Sequence, residues 1–395
     1  MIAITGIGVI CPAGINSENL TRSFMDTKTG IAESTNFGLP YAGITTLGEV
    51  KNFAAKDHIP VMKARRMSRF SQFGLASAVE AIKDAGFRIS DSNRYQIAIA
   101  VGTGLASTGS TDSFYEGLLR EGPEGTNPIL FPETVQNIAA AHISMHFGTR
   151  GQNITFSHAD ISSELALFYA CELLNDGQAD MVIVSGADEL SIVELAGYSG
   201  FNILSNHMMP FDKKRTGFVL GEGAATIILE RKEDADKRGA KICCTIAAAE
   251  ITSCPTLIAS YDKSRESMEK AMRAAVAKAG LRAPGFISAS ANSTTDLDHL
   301  ESESIREVFG HAIPVTAFRS YNGYFPADGI LRIASTALCL SRGIVPVIAG
   351  LKEPLDGCAL DLVINNPRAV HADSALITSF STGGTAASIV LKKEA

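Results

Sequence analysis

No run of about 18 apolar residues occurs in this 395-residue sequence, so no segment is expected to cross a membrane as a helix. The chain opens at once on the strand-like run Ile2 to Val9, without a charged and then apolar leader, so no signal peptide is expected. Positive charge is in deficit: 35 Lys and Arg stand against 42 Asp and Glu, for a net charge of -7. That sign argues against nucleic acid as the main partner. The seven cysteines (Cys11, Cys171, Cys243, Cys244, Cys254, Cys339 and Cys358) are odd in number and form no CxxC pair. A reducing cytoplasm without structural disulfides is the simple reading. Low-complexity tracts and long linkers are missing too. The segment densest in Gly and Pro, Glu121 to Pro128, is read as a mobile loop. Neither Gly6-x-Gly8 nor Gly221-x-Gly223 completes a dinucleotide fingerprint, since position 11 is Cys and neither pair opens a βαβ unit. No cofactor and no metal is therefore expected.

What remains is a soluble globular composition, 46% hydrophobic and 19% charged, with enough chain for a large core. Strand-like runs recur at Ile2 to Val9, Gln96 to Val101, Met181 to Val184, Thr226 to Leu229, Lys241 to Ile251, Ile287 to Ala289, Val345 to Ile348 and Ala387 to Lys392. Amphipathic stretches such as Ser68 to Ala85 and Ser264 to Lys278 lie between them, which is an α/β pattern.

The most informative segment begins at Gly151. It reads as a short strand, a tight turn holding Asp160, and a helix to about Asn175 that Gly177 stops. A residue at such a turn sits in the positive field of a helix start. That field would make a cysteine a reactive thiolate, whereas it simply holds a carboxylate ionised. Asp160 is thus either a carboxylate nucleophile or base, or a helix cap contributing about 1 kcal/mol. His158 is the one histidine near it in sequence and is expected to pack or hydrogen-bond locally.

The turn resembles the nucleophile elbow of the β-ketoacyl synthases, usually Thr-Ala-Cys-Ala-Ser-Ser, which corresponds here to His158-Ala-Asp160-Ile-Ser-Ser163. Four further blocks match in order. Ile4 to Val9 resembles the opening strand and turn, and Lys63 to Phe70 the start of the first core helix. Phe211 to Ala224 is very similar to the block Phe-Asp-x-x-Arg-x-Gly-Phe-Val-x-Gly-Glu-Gly-Ala. Ser379 to Thr385 resembles the C-terminal glycine-rich loop. The resemblance spans the chain and implies an α/β, thiolase-like fold: two similar halves, 1–240 and 241–395, forming a layered α-β-α-β-α body. No direct sequence repetition between the halves is visible.

Position by position, the resemblance implies a degenerate site. Asp160 replaces the cysteine, Ser290 the first catalytic histidine and Tyr324 the second. Arg319 stands for the lysine, Arg332 for a nearby glutamate, and Thr382 for the gating phenylalanine. Ser290 lacks the Gly-x-Ser-x-Gly surround of a hydrolase serine. Tyr324 is either a steric plug where acyl substrate would enter or a plain core tyrosine. With no catalytic residues retained, the implied role is a pseudoenzyme: a ketosynthase-like chain-length factor of a type II polyketide system, with the Gram-negative aryl polyene type as a plausible home. It would heterodimerise with an active ketosynthase and shape the acyl tunnel. Known chain-length factors often carry glutamine where Asp160 stands. Acyl carrier protein is the second implied partner, with Lys63, Arg65, Arg66 and Arg69 as docking candidates or, alternatively, a solvated helix face. Phe114, Leu118, Phe131 and Thr134 are candidates for the gate at the tunnel's far end. The rival reading is a homodimeric acyl-processing enzyme, hydrolysing or decarboxylating through Asp160.

Overall fold

The computed structural model describes residues 1–34, 43–257, 260–261 and 264–394. Eleven strands are hydrogen-bonded into one ladder: β1 (Ile2–Ile10), β2 (Ile97–Gly102), β3 (Asn153–Phe156), β4 (Met181–Asp188), β5 (Gly223–Arg231), β6 (Cys244–Ser253), β7 (Phe286–Ser288), β8 (Pro314–Thr316), β9 (Asp361–Leu362), β10 (Ser374–Phe380) and β11 (Thr385–Lys393). Their spatial order is β9-β8-β7-β10-β11-β6-β1-β5-β4-β2-β3. Read outward from the centre, the two sides repeat one pattern. β1, β5 and β4 alternate in direction, and β2 and β3 then run parallel to β4. On the other side β6, β11 and β10 alternate, and β7 and β8 run parallel to β10. This is the thiolase-like arrangement of two similar halves. They meet at a short antiparallel seam in which Ile2, Ala3 and Ile4 face Ile246, Thr245 and Cys244.

The helices that matter below are α1 (Arg69–Asp84), α2 (Thr108–Glu121), α3 (Ile138–Phe147), α4 (Ser162–Asn175), α5 (Ile192–Gly200), α6 (Ser264–Lys278), α7 (Thr295–Phe309) and α8 (Gly329–Arg342). α1 packs on β1, β5 and β4 from outside, and α6 on β6 and β11 with α7 behind it. α8 touches strands of both halves and also α4, so these two helices form the middle layer. A middle layer has no wet face. Hence the first twelve residues of α8, from Gly329 to Leu340, are all buried, polar ones included.

Two expectations from the sequence change. Val345 to Ile348 does not form a strand of the sheet: only Ile344–Val345 pairs, with Arg368–Ala369, because Pro346 has no N–H to continue a ladder. The Gly- and Pro-rich segment 121–128 forms a 3-10 turn over Gly122–Gly125 that folds back on α2. A Cβ on Gly125 would meet the Gly117 carbonyl oxygen at 2.6 Å, so glycine permits that contact.

Candidate functional site

Strand β3 carries the chain out of the sheet edge into a 3-10 turn, Ala159–Ile161, and then into α4. Ala159 adopts φ +44, the left-handed region that a residue with a Cβ avoids, so the turn is strained. Ser162 braces it: its hydroxyl donates to the Ala159 carbonyl and accepts from the His158 N–H, both at 2.8 Å. The His158 side chain is exposed.

The turn delivers Asp160 into a buried position, but not as a helix cap. Ile161 occupies the cap position of α4, and no side chain caps that helix. The Asp160 carboxylate instead faces the loops opposite. The Tyr324 hydroxyl donates to Oδ1, and the Ser381 hydroxyl (3.0 Å) and Thr382 N–H (3.2 Å) donate to Oδ2. A carboxylate so engaged is satisfied where it stands.

Tyr324 is held as firmly as its partner. Its N–H donates to the Val219 carbonyl and its carbonyl accepts from the Gly221 N–H, both at 2.8 Å. The preceding Gly323 has φ +78, and a Cβ there would meet the Val219 oxygen at 2.9 Å. The Tyr324 ring packs against Phe218 (4.3 Å between centroids) and edge-on to Tyr198 (6.0 Å). Burial and then the Asp160 charge push its pKa well above the ordinary tyrosine value, so the phenol is a neutral donor.

Ser290 joins the same network from the other half. Its Oγ accepts from the Phe380 N–H (3.2 Å) and from an Arg319 N–H (3.3 Å), and the same arginine nitrogen donates to the Ser290 carbonyl. Both of these partners of Oγ are donors, whereas a nucleophilic serine needs a base to take its proton. The Arg319 guanidinium lies 5.0 Å over the Tyr324 ring and makes two bonds to Asp328, at 2.5 and 3.0 Å. Burial disfavours its charge, yet Asp328 more than compensates and the pKa is raised. Arg332 extends the chain of charges to Asp328 (3.1 Å), Glu164 (3.0 Å), the Thr378 carbonyl (2.6 Å) and the Ser379 hydroxyl, which itself donates to Glu164. The positions matched to nucleophile, histidines, lysine and glutamate therefore converge, and they are cross-linked to one another.

Above this network lies a cavity of about 410 Å³, lined by Asp160, Tyr198, Phe218, Tyr261, Tyr324 and Thr382 among others. Among the described residues no group of three or more His, Cys, Asp or Glu is placed to hold a metal ion. No helix among them is long and apolar enough to cross a membrane.

The gate candidates stand elsewhere. Phe114 and Leu118 are half-buried on α2, and Phe131 and Thr134 belong to a 3-10 turn, Phe131–Thr134. The rings of Phe114 and Phe131 lie 5.9 Å apart, and the Thr134 hydroxyl donates to the Phe131 carbonyl at 2.8 Å. None of the four lines the cavity over Asp160. Around them lies an apolar surface: Tyr115, Leu119, Ile129, Phe131 and Val135 are all exposed, Leu119 at 83%. Strand β3 ends the sheet beyond β2, so one of its edges pairs with no strand among the described residues.

The basic cluster divides. Lys63, Arg65 and Arg66 are exposed, beside exposed Val61 and Met62. Arg69 turns inward: it donates to Glu222 at 2.6 to 3.0 Å and to the Val50 carbonyl at 2.8 Å, over the Phe73 ring. That side chain, still 40% exposed, is engaged within the fold, unlike the other three.

The family model for the beta-ketoacyl synthase N-terminal domain matches residues 1–235, and that for the C-terminal domain matches residues 243–352. The 3-oxoacyl-(acyl-carrier-protein) synthase 2 of Vibrio harveyi is 29% identical over 412 residues, covering 99% of this chain and 98% of that protein. Among solved structures, the ishigamide ketosynthase/chain length factor superposes with a TM-score of 0.93 at 26% identity, covering 100% of this chain and 99% of that one. A chain of the ketosynthase in complex with its chain length factor from Xenorhabdus doucetiae gives 0.85 at 21% identity over 100% and 98%, a likeness of fold. Together with the converging motif positions, these matches mean that the chain belongs to the beta-ketoacyl synthase family.

Proposed function

We propose that this chain is a non-catalytic chain-length factor that pairs with an active ketosynthase and shapes the tunnel in which the acyl chain grows. The observation that carries the reading is the hydrogen bond from Tyr324 to Asp160. It joins the positions of nucleophile and second histidine, so that neither is free to act on a thioester. Condensation needs a nucleophile, donors for the thioester oxyanion and a group to stabilise the enolate. Asp160, Ser290 and Tyr324 supply none of these, and Arg319 is spent on Asp328 and Ser290. The rival reading, an acyl enzyme run by Asp160, needs a carboxylate with a free oxygen lone pair facing substrate and a base to assist it. Three donors take three of the four lone-pair sites of this one, and among the described residues no histidine lines the cavity beside it to act as that base.

The apolar surface around Phe131 and the open edge of β3 fit a large, partly apolar subunit interface, and the likeness to a ketosynthase/chain length factor pair fits the same assignment. Lys63, Arg65 and Arg66 suit an acidic acyl carrier protein. The gate would be built from Phe114, Leu118, Phe131 and Thr134, and a cytoplasmic aryl polyene system remains the proposed setting. The test is intact-mass measurement of the isolated chain after incubation with acyl-loaded carrier protein. No covalent adduct is expected. A stable acyl adduct that disappears in Asp160→Asn would overturn the proposal.

A further inference from the structure

Glu133 lies between the gate candidates Phe131 and Thr134, and its side chain is 3% exposed. It is the one buried residue of the turn Phe131–Thr134; Phe131 itself is 59% exposed. Apolar burial therefore does little to fix this turn. The carboxylate does the fixing instead. Oε2 accepts from the Ser68 N–H (3.0 Å), the Ser68 hydroxyl (2.7 Å) and the Ser71 hydroxyl (2.6 Å), while Oε1 meets His142 Nε2 at 2.7 Å. The Ser107 hydroxyl, at the cap position of α2, donates to the Glu133 carbonyl. Burial opposes ionisation, but the bonds from His142 and the two serines outweigh it and hold the carboxyl below its ordinary pKa.

These partners belong to three elements. Ser68 caps α1, His142 sits on α3, and Ser107 starts α2. Ser68 also follows directly on the exposed Lys63–Arg66 segment. That segment is tied to α1 by Gln72, whose side-chain amide donates to the Ala64 and Met67 carbonyls at 3.0 Å each. One carboxylate thus connects the turn carrying two gate candidates to the root of the basic face.

We propose that Glu133 is a positioning residue for chain length: received by Ser68, Ser71 and His142, it sets where Phe131 and Thr134 stand at the tunnel end. This rests on the chain-length-factor reading. The experiment uses the reconstituted complex of this chain with its ketosynthase and carrier protein, with assembly checked by gel filtration and carrier-bound products read by mass spectrometry. In assembled complex, Glu133→Ala loses the single dominant product length, whereas Glu133→Gln, which keeps the shape and the acceptor toward the serines, restores it. A purely stabilising role would change the yield of complex and leave the length distribution alone. If Glu133→Ala prevents assembly, Ser71→Ala carries the test, since it removes one donor and is expected to widen the distribution. Unchanged lengths in the assembled variants, while Thr134→Phe shortens the product, would overturn the role of Glu133 alone. Unchanged synthesis with this subunit left out would overturn the chain-length-factor reading beneath it.

Discussion

The interior around Asp160 and the surface around Phe131 are opposites. In the interior every group that the family would use for chemistry is bonded to a neighbour: Asp160 to Tyr324, Ser290 to Arg319, Arg319 and Arg332 to Asp328, Arg332 to Glu164. On the surface, Leu119, Ile129, Phe131 and Val135 are exposed in the lone chain. The contrast teaches where completion is missing. The polar groups of the site are paired from within, while the face on α2 and its neighbouring turn leaves large apolar side chains exposed.

The strongest way to break the comparison is to open the interior. Asp328 holds two buried guanidinium groups, so Asp328→Ala strands the Arg319 charge and leaves Arg332 with Glu164 alone; the loss is expected to be about 3–5 kcal/mol, as for a broken buried ion pair. Chemical denaturation would measure it. A loss under about 1 kcal/mol would mean that water reaches these charges and the interior is not sealed.

The matching test of the surface is Leu119→Asp. At 83% exposure the change should leave monomer stability within about 0.5 kcal/mol. Association with the partner ketosynthase should weaken by about 2 kcal/mol or more if Leu119 is an anchor of the interface. Titration of one purified subunit into the other reads this directly. Unchanged affinity would move the interface off α2.

A smaller effect separates the regions by pH. Burial pushes Glu301 up from 4.5 to about 7, although Thr378 and the Ser290 N–H oppose it. An acid whose pKa is raised on folding binds more protons folded than unfolded. Its stabilising protonation is present below about 4.5 and is lost as pH rises through about 7. Stability should therefore fall between those values, with Glu301 contributing at most about 1.4 kcal/mol per pH unit. Glu301→Gln should flatten that slope. An identical slope in the variant would assign the pH dependence to other groups, such as Glu189, which burial also raises to about 7.

Much of the fold was legible, because long strands and helices write their period into sequence: Ile2 to Val9 and Ser264 to Lys278 fall where expected. Strand β10 escaped notice because it is buried on both faces and mixes Ser and Thr with Leu and Ile, which hides the pattern. The two similar halves were legible only through the family resemblance and not through any repetition of residues, since the repeat lives in strand order. In the site, the motif spacing located Asp160, Ser290 and Tyr324 but could not reveal that two of them bond across 164 residues. For the same reason Asp160 looked like a cap and Arg69 like a free cation: local sequence shows a side chain's type but not which distant partner claims it.

The charges strung from Glu164 to Arg319 also bear on the history open to such a chain. To regain a histidine at 324, a lysine at 319 or a glutamate at 332, substitutions would have to come one at a time. A glutamate at 332 would set a third carboxylate beside Asp328 and Glu164, and a lysine at 319 would keep the charge but lose the two-bond fork to Asp328. Each such intermediate is expected to be less stable than the present set, so the interior itself resists a stepwise return to the residues usual in the family.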